Sequence, residues 1–148
     1  MPLEVEVVSR VRQLYHTENA DMVLIPGSEG ELGVLPNHTP LLTTLAFGEL
    51  RVVEGDAINS FVVYGGVVDV GPHKVIVLAD DAESVSEINM SDVEEARARA
   101  RRLMEESPAG DQRAMIAQEL RRAEIAAKIY QRVGGPSGRR IRTVEEDE

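Results

Sequence analysis

The chain has 148 residues, of which 43% are hydrophobic and only 3% aromatic, and it contains neither Cys nor Trp. Without Cys there are no disulfides, thiolate metal sites or Cys nucleophiles, and so few aromatic residues leave little for stacking on nucleobases. The net charge of −10 disfavours nucleic acid as a partner. We therefore expect a globular protein with an aliphatic core.

No stretch of the chain approaches the roughly 20 apolar residues that a membrane span requires. The opening Met1–Glu4 also lacks the basic and then apolar pattern of a secretory signal. We expect a soluble protein on the cytoplasmic side that reaches a membrane only through a partner.

The first part of the chain, residues 1–87, is acidic and rich in β-branched residues. It holds 14 acidic and 4 basic side chains, whereas residues 88–148 hold 12 of each. Leu3–Val7 alternates with period two, as a half-buried strand does. Short apolar runs separated by Gly, Pro and Asn or Asp follow, and they favour an antiparallel sandwich or flattened barrel. The runs are Met22–Ile25, Leu32–Leu35, Leu41–Leu45, Leu50–Val53, Phe61–Tyr64, Val67–Val70 and Val75–Leu78.

The composition changes near Ile88 to Ala, Arg, Glu and Leu, which are good helix formers. Ser91 and Glu94 have the spacing of a capping box, so the sequence predicts a helix from there to Glu106. Residues 107–110 break this helix, Asp111 is placed to cap a second one that runs to about Arg132, and residues 134–136 stop it. The sequence thus predicts an αα-hairpin over residues 88–133 and a mobile charged tail over 134–148.

Each predicted helix carries one apolar stripe at helical spacing, which is typical of a packing seam. The stripes are rich in Ala, whose side chain buries little area, so we expect the hairpin to be weakly held and able to move. Their residues are Val93, Ala96, Ala100 and Leu103 on the first helix, and Ile116, Leu120, Ala123, Ala127 and Tyr130 on the second.

The sequence offers no groups arranged for catalysis. His16, His38 and His73 are isolated and share no metal-ligand spacing. The Gly-rich Gly27–Gly33 is not followed by Lys and Ser or Thr, so it is not a phosphate-binding P-loop. We predict that the chain is not an enzyme by itself and serves a larger assembly.

One stretch, residues 25–42, combines three glycines at a spacing of three with two prolines around Asn37–Thr39. It predicts a rigid loop that presents Glu31 and His38. This stretch closely resembles the signature of the epsilon subunit of bacterial rotary F-type ATP synthases. The resemblance runs from residue 2 to about residue 133 and includes Pro2–Val8, Gly48–Arg51, Tyr64–Val68 and Val75–Asp80.

The resemblance implies an α+β protein, with a ten-stranded antiparallel β-sandwich followed by an antiparallel two-helix hairpin. The sandwich would bind the central-stalk gamma subunit and the membrane rotor c-ring, with Glu31 and His38 at the contact. The chain would couple proton-driven rotation to ATP synthesis on other subunits, at the cytoplasmic face of the bacterial cell membrane. The hairpin would extend into the catalytic alpha and beta subunits and inhibit ATP hydrolysis, through cations drawn from Arg113, Arg121, Arg122, Lys128 and Arg132. Whether it rests folded or extended stays open.

Some members of this family bind ATP at the base of the hairpin, through a motif of Ile or Leu, Asp, two variable residues, Arg and Ala. Here Asn89 replaces the Asp and Asp92 replaces the Arg, so a carboxylate stands where a cation would face phosphate. We therefore expect weak or absent ATP binding and no other cofactor. The positions of this degenerate motif are Ile88, Asn89, Asp92 and Val93, with Glu83 and Arg99 at further plausible sites.

Two other functions remain open at this point. One is a nucleotide-sensing module in which ATP folds the hairpin, against which the altered motif argues. The other is an unrelated β-sandwich that binds a ligand such as carbohydrate. That function needs exposed aromatic residues, and the five here are few and scattered.

Overall fold

A computed structural model of the protein describes residues 2–133, so the predicted tail 134–148 lies outside the described residues. Within that range the chain forms eight strands, one 3₁₀ turn and two α-helices. In chain order these are β1 (Leu3–Val8), β2 (Gln13–Ala20), β3 (Met22–Gly27), β4 (Gly30–Val34), β5 (Leu41–Glu54), β6 (Ala57–Val70), β7 (Lys74–Ala79), β8 (Ala82–Ser84), the 3₁₀ turn Val85–Glu87, α1 (Met90–Glu105) and α2 (Gly110–Val133).

The strands form one sheet in the order β2-β1-β7-β6-β5-β3-β4, with β8 paired to β6. All pairs are antiparallel except β1 with β7. The long β5 and β6 each contain two of the apolar runs that the sequence separates. Eight strands are therefore seen where the family resemblance implies about ten.

The sheet folds over on itself into a sandwich, as predicted. Strands β1 and β3 are separated by three strands in the sheet, yet their inward side chains share one core. That core is aliphatic apart from Phe61 and includes Leu3, Val5 and Ile25, each fully buried. The strand pairings show where the fold occurs, because residues 61–63 of β6 pair with β8 and residues 66–70 pair with β7.

A glycine pair lets β6 pass from one layer to the other. Gly65 has φ of 87° and Gly66 has φ of 131°, values that side-chain-bearing residues rarely adopt. A Cβ on Gly66 would lie 2.3 Å from the carbonyl oxygen of Leu78. The bend therefore needs glycine here for both conformation and space.

The first helix is capped by Asn89, so the predicted capping box at Ser91 is wrong. Asn89 has an extended backbone, and its Oδ1 accepts from the amides of Ser91 at 2.9 Å and Asp92 at 3.4 Å. These are the second and third residues of α1, the amides that an N-cap side chain normally satisfies. Ser91 therefore lies inside the first turn. The α1–α2 loop is short, and α2 begins at Gly110, one residue before the predicted cap.

The hairpin lies folded against the sandwich in this structure. The sequence leaves open whether it rests folded or extended. A second apolar cluster joins Val62, Tyr64, Val85, Ile88 and Ile129. It lies on the outer face of β5 and β6, opposite the main core.

Candidate functional site

The candidate functional site is the outer face of the sandwich that α2 covers. Phe47 and Glu49 of β5 point outward, opposite the inward Leu50, and Val62 and Tyr64 of β6 lie beside them through the β5–β6 pairing. On the helix side, the predicted stripe members Ala123 and Ala127 are buried. Ala126 and Ile129 are buried as well, and they fall outside the predicted stripe. Helix α2 buries a wider face than predicted because it contacts both α1 and the sheet.

Arg122 makes the densest set of contacts on this face. Its guanidinium carbon lies 4.1 Å from the centroid of the Tyr64 ring, and its Nη2 donates to Oδ2 of Asp81. The Tyr64 hydroxyl in turn donates to Oε2 of Glu83 at 2.9 Å. Burial, followed by the charge of Glu83, raises the pKa of Tyr64 far above its usual range, so the phenol remains a hydrogen-bond donor at neutral pH.

Two further arginines of α2 contact the same face. The guanidinium of Arg121 lies 4.5 Å from the centroid of the Phe47 ring, and this ring meets Tyr64 edge-to-face at 5.7 Å. Arg132 donates to Oε1 of Glu49, whose side chain is only 6% exposed. Three of the five cations predicted to meet the catalytic subunits are thus engaged by the sandwich.

The other two predicted cations, Arg113 and Lys128, form neither an ion pair nor a ring contact with the described part of the sandwich. Both are exposed, and neither forms an ion pair within residues 2–133. They are therefore available to a partner while the hairpin is folded.

A cleft of about 360 Å³ lies between the sandwich, α1 and α2, and it gathers part of the degenerate ATP motif. Asp92, Val93 and Arg99 line it, whereas Asn89 is occupied in capping α1 and Ile88 is buried in the apolar cluster. The full lining is Tyr64, Glu83, Asp92, Val93, Ala96, Arg99, Glu119, Arg122, Ala123 and Ala126.

The charge of this cleft is unfavourable for a nucleotide. Its three carboxylates, on Glu83, Asp92 and Glu119, outnumber its two guanidinium groups. One of those, on Arg122, already bonds Asp81. A polyphosphate would therefore meet net negative charge.

Glu31 lies on the outer face of β4 and is paired within the chain. Arg51 of β5 donates through Nη2 to Oε2 of Glu31 at 2.6 Å, and the Glu31 side chain remains 54% exposed. The carboxylate is thus held in place while part of it faces outward.

His38 lies in the loop between β4 and β5 and does not contact Glu31. The preceding Asn37 has φ of 72° and donates its amide to the carbonyl of Pro72 at 2.7 Å, which ties the loop to the β6–β7 turn. The half-buried His38 ring has Nδ1 2.6 Å from the carbonyl oxygen of Thr39. Because a carbonyl oxygen can only accept, Nδ1 is the donor in this hydrogen bond. Glu31 and His38 thus lie apart, on β4 and in the β4–β5 loop, where the sequence predicts one rigid loop that presents both.

The layer that contains β7 and residues 66–70 of β6 has an exposed apolar outer face, which the sequence analysis did not predict. Val67 is 38% exposed and pairs across strands with Leu78, which is 48% exposed. Leu42 of the neighbouring β5 is 71% exposed and lies diagonally from Val67 in the β5–β6 register. A signal was present in the sequence, because adjacent apolar pairs such as Val67–Val68 and Val77–Leu78 place apolar groups on both faces of a strand.

Known proteins are similar to this chain in both sequence and fold. Residues 2–85 match the family described as "ATP synthase, Delta/Epsilon chain, beta-sandwich domain". The chain belongs to this family. The ATP synthase epsilon chain of Herpetosiphon aurantiacus is 36% identical over 87% of this chain and 94% of its own length. The ATP synthase epsilon chain of Dehalococcoides mccartyi is 38% identical over 88% of this chain and 93% of its own length.

Solved structures agree with the fold. A chain in the Euglena gracilis mitochondrial ATP synthase structure of OSCP, F1 and c-ring superposes with a TM-score of 0.75 and 25% identity, covering 86% of this chain and 81% of that one. A chain in the Tetrahymena thermophila mitochondrial ATP synthase central stalk and c-ring shares the fold at a TM-score of 0.57 and 13% identity, covering 87% and 96%.

These relatives confirm the family resemblance, the sandwich followed by two helices, and the assignment to a subunit of ATP synthase. The family is one of regulatory and stalk subunits rather than catalytic ones. Within residues 2–133, neither helix is long and apolar enough to span a membrane.

Proposed function

We propose that this epsilon chain couples proton-driven rotation of the rotor c-ring to ATP synthesis by joining the ring to the gamma subunit, and that its hairpin inhibits ATP hydrolysis. The observation that carries the proposal is the division of the molecule into two faces. One face of the sandwich holds the hairpin, and the other leaves apolar side chains exposed on neighbouring strands. The protein then acts at the cytoplasmic face of the bacterial cell membrane, attached only through the complex.

We assign the exposed apolar face to the gamma subunit. Leu42, Val67 and Leu78 give it an apolar centre of the kind that protein interfaces bury. The His38 loop runs directly into β5, and His38 lies four residues before Leu42, so we include His38 in the same contact. The Euglena neighbour, found in a structure of F1 with the c-ring, supports this class of partner.

We assign Glu31 to the rotor c-ring. It lies apart from His38, it is half exposed, and Arg51 fixes its carboxylate in one direction. A carboxylate held this way suits a polar loop with hydrogen-bond donors or a cation.

Co-purification tests the gamma assignment. Leu42→Ser combined with Val67→Ser should reduce recovery of the chain with gamma by about tenfold or more, because both side chains lose apolar contact. Val11→Ser is the matched control, since Val11 is 84% exposed and lies outside this face. Equal recovery of the double variant and the control would refute the assignment.

We propose that the extended hairpin reaches the catalytic alpha and beta subunits through its cations. Arg113 and Lys128 are exposed in the folded hairpin, and Arg121, Arg122 and Arg132 become available when it leaves the sandwich. Deletion of residues 88–148 should leave assembly intact and raise the rate of ATP hydrolysis. An unchanged rate would refute the inhibitory role, and failure to assemble would refute the division of tasks between sandwich and hairpin.

We further propose that ATP binds this chain weakly or not at all. Three carboxylates in the cleft, together with the engagement of Asn89 as a helix cap, support this. A nucleotide-sensing role therefore has no favourable site in the folded hairpin.

A further inference from the structure

We propose that the sandwich competes with the catalytic subunits for the arginines of α2, through a latch formed by Phe47, Glu49, Tyr64 and Asp81. This inference rests on the proposed inhibitory role of the hairpin and names the residues that set it. The latch residues hold Arg121, Arg122 and Arg132 in the folded position.

The apolar seam of the hairpin consists mostly of small or partly buried side chains. Of the buried side chains of α1 and α2, four are Ala and one is Ile129, while Val93, Ile125 and Tyr130 pack partly buried against the cluster that contains Ile129. An Ala side chain contributes little burial compared with Leu or Ile. The contacts of the three arginines therefore add to this seam in stabilising the docked hairpin.

The geometry places these contacts along one side of α2. Arg121 and Arg132 are eleven residues apart, which is close to three helical turns, so both point toward the sheet. Arg122 lies next to Arg121 and reaches Tyr64 and Asp81. Two of the contacts are guanidinium groups over aromatic rings, and two are ion pairs.

Each of these arginines can contact the sandwich or another subunit, but not both at once. A guanidinium that stacks on Tyr64 and bonds Asp81 is held on the sandwich, so it cannot at the same time meet a carboxylate of another subunit at the position of the extended hairpin. Loss of a sandwich residue of the latch therefore weakens only the folded state. Loss of an arginine weakens both states, because the same side chain is used in each.

Amide hydrogen exchange of the full chain tests the latch directly. Asp81→Asn and Glu49→Gln keep side-chain shape and remove the charge. Each should accelerate exchange of the α2 amides 123–129 by roughly three- to tenfold, the size expected for a partly exposed charged contact. Glu29→Gln and Asp69→Asn are matched controls, as both residues are exposed and lie outside the latch. Exchange in β1 and β3 reports that the sandwich remains folded.

A salt series on the same variants provides a second measurement. Raising ionic strength should accelerate α2 exchange in the wild-type chain, because salt screens exposed ion pairs. The acceleration should be smaller in the double variant Asp81→Asn with Glu49→Gln. Unchanged α2 exchange in all variants, or equal salt dependence, would overturn the latch.

ATP hydrolysis by the assembled complex separates this inference from the proposed function. Asp81→Asn and Glu49→Gln should lower hydrolysis, by about two- to tenfold, because more hairpin is free to extend. Arg122→Ala should not lower it, since the extended contact is lost too. If exchange in the isolated variants accelerates while hydrolysis stays constant, the latch stands and the inhibitory function fails. If exchange stays constant, the latch fails whatever hydrolysis does.

Discussion

Arg122 of α2 lies over the ring of Tyr64 of β6, with its guanidinium carbon 4.1 Å from the ring centroid, and its Nη2 donates to Asp81. One side chain thus joins the hairpin to the sandwich by a cation–π contact and an ion pair together. Contacts of this kind at partly exposed sites contribute about 0.5–1 kcal/mol each.

Arg122→Lys should loosen the docked hairpin although the charge is kept. A lysine ammonium can approach Asp81, but it lacks the planar group that covers the Tyr64 ring. We expect α2 amide exchange to accelerate by about threefold, less than in Arg122→Ala. Lys128→Arg is the control, because Lys128 is exposed and forms no ion pair within residues 2–133. Equal exchange in Arg122→Lys and wild type would show that stacking contributes nothing.

Asn89→Ala should destabilise α1 by about 1 kcal/mol, through loss of the acceptor for two first-turn amides. Asn89→Asp should be close to wild type, because a carboxylate both caps and faces the positive end of the helix dipole. Ser91→Ala should cost less than about 0.5 kcal/mol, since Ser91 is not the cap. Urea unfolding monitored by helical circular dichroism provides the comparison, and a larger cost at Ser91 than at Asn89 would contradict the observed cap.

Asp92→Arg should increase affinity for ATP relative to wild type. The substitution removes one carboxylate from the cleft and adds a cation near Arg99. Asp92→Asn serves as control, because it removes the carboxylate without adding a cation. Calorimetric titration should show no binding at micromolar ATP in wild type and measurable binding in Asp92→Arg. Micromolar binding by the wild-type chain would refute the weak-binding proposal.

Gly66→Ala should destabilise the sandwich severely. At φ of 131° the added Cβ would lie 2.3 Å from the carbonyl oxygen of Leu78 and 2.7 Å from Cα of Ala79, so backbone must move. We expect a loss of at least about 3 kcal/mol. Gly55→Ala is the comparison, because its φ is 60° but a Cβ would meet nothing within 4 Å. It should cost only about 1 kcal/mol. Equal losses in denaturant unfolding would show that strain, and not space, governs both sites.

The stability of the sandwich should fall between about pH 10 and pH 12, in part through Tyr15. Burial, then the hydrogen bond to Glu54, raises the pKa of Tyr15 to about 12. The unfolded phenol ionises near pH 10. The contribution of Tyr15 is therefore complete below pH 10 and is lost as pH rises toward 12.

Tyr15→Phe should make the fall in unfolding free energy over pH 10–12 less steep. Measurements at pH 7–9 are the internal control, because there the two chains should differ by a constant amount. A wild-type slope that the substitution leaves unchanged would show that Tyr15 is not held protonated by folding.

Local signals account for most of the secondary structure predicted from sequence. Period-two alternation fixes β1, good helix formers mark α1 and α2, and residues 107–110 separate the two helices because Pro and Gly interrupt helical hydrogen bonding. The sequence analysis separates the runs Phe61–Tyr64 and Val67–Val70 at Gly65–Gly66, whereas β6 continues through both glycines. Whether glycine ends a strand or bends it depends on which strands lie on either side, and that is a property of the assembled sheet.

By itself, then, the amino-acid sequence determined the family, the order of sandwich and hairpin, the aliphatic core and the absence of catalytic motifs. The family follows from the resemblance of residues 2 to about 133, and the other features follow from composition, periodicity and short motifs, which act between residues close in the chain. Only the tertiary structure decided that Asn89 caps α1, that Glu31 and His38 lie apart, and that Arg122 meets Tyr64 and Asp81. Arg122 and Asp81 are 41 residues apart in the chain. Such a pairing depends on how α2 docks on the folded sheet, and no local pattern specifies that geometry.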